Sequence, residues 1–117
     1  ATKALYYVDD GASFNGDGIT YGVFYYSNTK KLDKMLNWQE SMSDSDIEKF
    51  NYLIEDLNKI NSINEKMLVD FNNLENLYYV MTQDRDKRST LFLIYNKSEK
   101  RLYYLELFVK YFNLLRK

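Results

Sequence analysis

Three groups of side chains in this sequence could carry chemistry. They are the paired carboxylates Asp9-Asp10, the turn-rich run Asn15-Gly16-Asp17-Gly18, and four adjacent tyrosine pairs. Two more acids, Glu48 and Asp70, stand further along the chain. Carboxylates can hold a hard cation or move a proton. Tyrosine rings bury much area with few rotors to freeze, which suits a partner surface. The 117 residues contain no His, Cys or Pro. Histidine triads, histidine or cysteine zinc sites, thiolate nucleophiles, disulfides and PxxP ligands are therefore excluded. An enzyme built from this chain would have to use carboxylates, hydroxyls, lysines or a cation such as Mg²⁺.

The glycine-rich run looks at first like a calcium loop. Counted from Ser13, Asn15 and Asp17 take ligand positions and Gly18 takes the turn position. Ile19 then comes one place early, and Phe24 stands where the closing acid belongs. A hairpin loop with Asn and Asp as turn formers fits better, so no metal is expected there. Asp10, Asn15 and Asp17 remain candidate binding residues as a surface loop.

Val8-Asp9-Asp10-Gly11-Ala12, the loop, and Tyr21-Gly22-Val23 resemble the first hairpin of ribonuclease H-like nucleases. The resemblance implies an Asp at the end of the first strand that holds Mg²⁺, a further acid in the first helix and another at the end of a central strand. Asp10, Glu48 and Asp70 are the positions that would fit, with two metals activating water on a phosphodiester. The residues themselves read differently. Glu48 is placed by its helical angle opposite an apolar stripe, and Asp70 falls inside a helical pattern.

The tyrosine pairs are Tyr6-Tyr7, Tyr25-Tyr26, Tyr78-Tyr79 and Tyr103-Tyr104. Neighbours in a strand point to opposite faces, so each pair sends one ring away from a one-sided core. If helices cover one face, the other carries a row of tyrosines drawn from Tyr7, Tyr25, Tyr26, Tyr103 and Tyr104. Nucleic acid could stack on such a platform, aided by Arg85, Lys87, Arg88, Lys97, Lys100 and Arg101. The balance of charge argues against it. Residues 1–60 carry six basic and ten acidic groups, residues 61–117 ten and seven, for a net charge of -1.

The elements that must position these groups follow from patterning. Residues 4–8 and 19–26, rich in aromatic and β-branched types, predict a hairpin around the long loop. Residues 32–38 allow a third strand. Ser45-Asp46-Ile47-Glu48 has the form of a capping box, and Ile47, Phe50, Leu53, Ile54, Leu57 and Ile60 make one stripe, which predicts a helix over 45–60. Ser62-Ile63-Asn64-Glu65 repeats the box. Ile63, Met67, Phe71, Leu74, Tyr78 and Met81 then predict a second helix over 63–81, closing a helical hairpin. Strands over 90–95 and 101–108 form a second β-hairpin, and 109–117 reads as a short helix. The expected fold is a single α+β domain over 1–117: a mostly antiparallel sheet, with an N-terminal and a C-terminal β-hairpin, packed on a two-helix hairpin.

With 45% hydrophobic and 17% aromatic residues the chain can bury a core, and no run approaches the ~18 apolar residues of a membrane span. The expectation is a small non-enzymatic binding or regulatory protein of accessory, inhibitor or immunity type. It would use the tyrosine-bearing sheet face or the 9–18 loop, have no cofactor, and bind a protein partner rather than nucleic acid or a membrane. The alternative is the Mg²⁺-dependent nuclease. A cytoplasmic setting is expected, with secretion after removal of a leader left open.

Overall fold

A computed structural model describes residues 2–11, 18–84 and 89–109. The aromatic and β-branched runs form five antiparallel strands: β1 (Thr2–Asp9), β2 (Gly18–Tyr26), β3 (Leu77–Gln83), β4 (Thr90–Asn96) and β5 (Arg101–Phe108). Their order in the one sheet is β1-β2-β5-β4-β3. The two expected hairpins are present, joined through β2 and β5, with Tyr21 opposite Leu105 and Val23 opposite Tyr103. Two helices, α1 (Lys30–Met35) and α2 (Asp44–Ile60), complete an α+β fold.

Helix α2 covers one face. Its stripe of Phe50, Leu53 and Leu57 is buried against Ile19, Tyr21 and Val23 of β2, Phe92 and Ile94 of β4, and Tyr103 and Leu105 of β5. Phe50 is the hub: its ring meets Tyr21, Phe71 and Phe92 edge-on, at centroid distances of 6.4, 5.4 and 5.5 Å. That geometry sets the positive ring edge against a negative face. The helix begins two residues earlier than the expected box. Ser43, not Ser45, is the cap, and its hydroxyl accepts from the Asp46 amide at 3.2 Å.

The second helix of the expected hairpin does not form. Residues 61–76 instead run across the core with only two 3-10 turns, Glu65–Met67 and Leu74–Asn76, and 77–83 is strand β3. The physical reason is competition for the backbone. Asn64 and Asp70 accept from amides two residues on, local bonds that replace helical ones. Tyrosines on the sheet then take up what remains: the Tyr21 hydroxyl donates to the Met67 carbonyl, the Asn64 amide donates to the Tyr6 hydroxyl, and Arg101 donates to the Lys66 carbonyl. Ile63, Met67 and Phe71 still reach the core, without helical backbone.

Residues 32–38, read as a possible strand, hold α1 and the turn after it. Leu32 is fully buried on the opposite face of the sheet, against Tyr95 and Leu102, with Phe24, Tyr26, Trp38 and Tyr78 around it. The expected helix over 109–117 lies outside the described residues beyond Val109.

Candidate functional site

Side-chain alternation divides the sheet into a face under α2 and an outer face, and a bulge decides which tyrosine of the first pair goes where. The register of β1 against β2 shifts between Ala4 and Tyr6. Such a shift inverts the alternation downstream. Tyr6 consequently packs into the α2 core beside Tyr21, while Tyr7 faces out and is 61% exposed. Tyr104 faces outward beside it in the same row. Tyr26 is on the outer face too, but half-buried beneath α1. Tyr103 is buried under α2, and Tyr25, opposite Lys3 and Arg101, shares that side. Of the five candidate tyrosines, Tyr7, Tyr26 and Tyr104 take the outer face, and Tyr7 and Tyr104 come together in its open part.

That open part has a defined layout. Register places Tyr7, Gly22, Tyr104, Leu93 and Val80 in a single row across all five strands. Gly22 lets the row close up. A Cβ there would stand 3.0 Å from Cε2 of Phe24 and 3.6 Å from Cδ2 of Tyr7, so both rings lean over the bare backbone. The Tyr104 hydroxyl donates to Glu106 at 2.7 Å. Burial, and then that bond to a carboxylate, hold the Tyr104 pKa well above the ordinary tyrosine value. The next row runs Asp9, Thr20, Glu106, Leu91, Thr82, with exposed Phe108 beyond it. The charged residues that the described strands turn to this face are Asp9 and Glu106, both acidic.

At its other end the outer face is roofed by α1 and Trp38, which leave a cleft of about 320 Å³ lined by Asp33, Trp38, Glu40, Tyr78, Tyr95 and Lys97. The rings of Trp38 and Tyr78 lie 5.4 and 6.0 Å from that of Tyr95. The indole N–H donates to the Leu32 carbonyl at 2.8 Å, and the Tyr95 hydroxyl donates to Asp33 at 2.8 Å. Sequence reasoning did not find this cleft. Its groups are far apart in the chain, and the even spacing of residues 32–38 allows a strand as readily as the helix that forms. The one available signal was the sole tryptophan, standing two residues before Glu40.

The acids of the nuclease pattern do not assemble. Asp10 closes the base of the first hairpin: its amide donates to the Ile19 carbonyl, and its carboxylate accepts from the Ile19 amide, both at 3.1 Å. Glu48 is exposed on the solvent side of α2, which is the second helix and not the first. Asp70 is exposed in a loop where its carboxylate accepts from Asn72, neither in a helix nor ending a strand. The central strand, β5, begins at Arg101 and ends at Phe108, so neither end supplies an acid. Among the described residues no group of three acids could hold a metal ion. Asn15 and Asp17 lie outside the described residues. No described helix is long and apolar enough to cross a membrane. No protein-family model, curated protein or solved structure matches the chain.

Proposed function

We propose that this is a small non-enzymatic binding protein whose open outer sheet face docks a protein partner. The row Tyr7, Gly22, Tyr104, Leu93 and Val80 carries the reading. A one-sided antiparallel sheet ordinarily alternates apolar-in with polar-out. Here the outward positions of β4 are all apolar or aromatic, and on β2 and β5 Phe24, Tyr104 and Phe108 interrupt the polar Thr20 and Glu106. A contiguous apolar surface of this kind costs solubility unless something covers it.

Charge selects the class of partner. Asp9 and Glu106 border the row, which disfavours a phosphate backbone and favours an apolar protein surface rimmed by Lys or Arg. Tyrosine at the centre of such a contact supplies a rigid, amphipathic anchor.

A photoreactive phenylalanine analogue placed at Tyr7, and separately at Tyr52, tests the reading in the cells that make the protein. Tyr52 is similarly exposed but lies on α2, behind the other face. A discrete adduct with a second protein from position 7, and none from position 52, is the expected result. An adduct with nucleic acid, or with another copy of the chain, would overturn the proposal.

A further inference from the structure

We infer that the aromatic cleft at the roofed end of the outer face is a receptor for the guanidinium of an arginine side chain. The inference does not rest on the open face binding a partner. Three rings line the cleft, and two of them are fixed in place by the hydrogen bonds from Trp38 to Leu32 and from Tyr95 to Asp33. Aromatic faces attract a flat cation, and tryptophan attracts it most. At about 320 Å³ the space stands at the bottom of the range for small-molecule pockets, which suits one long side chain.

The carboxylates select for charge. Asp33 is already engaged, accepting from Tyr95 and lying 3.6 Å from the Lys97 ammonium. Glu40, which also lines the cleft, has no hydrogen bond or ion pair among the described residues. The lining therefore holds aromatic rings fixed by hydrogen bonds, one uncommitted acid, and one acid whose cation is a lysine on an exposed turn. Guanidinium fits this better than ammonium does. It stacks flat on rings and binds carboxylate through a planar fork, where Lys97 offers only a point charge.

Trp38 is the sole tryptophan, so its fluorescence reads the cleft directly. The intact protein is titrated with N-acetyl-arginine amide, and in parallel with the uncharged citrulline analogue, at matched ionic strength. The arginine derivative should give a saturable change and the citrulline analogue none. Glu40→Gln should weaken binding about fivefold, and Lys97→Gln should tighten it about fivefold by removing a competing cation, each the effect of one charge at contact distance in water. Both positions are exposed, and a thermal melt checks that each variant folds. An equal response to citrulline, or no saturable change in both the wild type and Lys97→Gln, would overturn the inference.

Discussion

The face under α2 and the open part of the outer face use tyrosine in opposite ways. Under α2, Tyr6, Tyr21 and Tyr103 turn their hydroxyls to structural work: Tyr6 and Tyr21 bond to the backbone of the segment that crosses the core, and Tyr103 meets the Arg101 guanidinium at 3.5 Å. On the open part of the outer face, Tyr7 stands mostly in solvent and Tyr104 bonds only within its own strand. Rings of one type, one residue apart in sequence, therefore hold the fold together on one side and form a surface on the other. Exposure and hydroxyl partner separate the two roles, where composition does not.

The sharpest contrast is in apolar truncation. Leu57→Ala removes a fully buried side chain between α2 and the sheet and should cost about 2–5 kcal/mol in a denaturant titration. Leu93→Ala, half-buried at the edge of the Leu32 cluster, should cost less, about 1–2 kcal/mol. Equal costs would mean that the outer face is as closed as the inner one. The next effect is polar. Tyr21→Phe strands the Met67 carbonyl and should cost about 1–3 kcal/mol, whereas Tyr104→Phe, half-exposed, should cost under about 1.

A smaller effect belongs to pH. Burial, and then the bond to Asp33, push the Tyr95 hydroxyl from 10.0 up to about 12. A pKa raised by folding means that the unfolded chain ionises first. The stability contributed by neutral Tyr95 is whole below pH 10 and is lost as pH rises toward 12. Tyr21 and Tyr104 are shifted in the same direction, so alkaline unfolding should be steep. In a series of melts at rising pH, Tyr95→Phe should flatten the part between pH 10 and 12. An unchanged slope would contradict the burial of that hydroxyl.

Much of the fold was legible because strong patterns leave few alternatives. The 45–60 stripe could only be a helix, and the two hairpins, β1–β2 and β4–β5, announced themselves through β-branched and aromatic runs around turn formers. The segment 63–81 misled because Ile63, Met67, Phe71, Leu74, Tyr78 and Met81 match helical spacing, while Leu77, Tyr79 and Met81 match a strand equally well. Tertiary partners decided between the two readings: the hydroxyls of Tyr6 and Tyr21, the guanidinium of Arg101, and β4 waiting to pair. Alternation within the tyrosine pairs was legible too, but the side taken by Tyr6 and Tyr7 was not, since a bulge has no local signature here. The cleft was illegible for a related reason. Asp33 and Tyr95, 62 residues apart, meet only once α1 folds back on the sheet.

One variant probes the division between the faces most directly. Tyr7→Ser is made in the full chain and read twice, by thermal melt and by retention of the protein captured from position 7. Tyr7 is 61% exposed, and the melt should stay within the scatter of an ordinary surface substitution. Retention should fall by roughly 1–4 kcal/mol, the loss of an anchor ring. A variant that unfolds, or one that keeps its partner at full strength, would contradict the assignment of the outer face to binding.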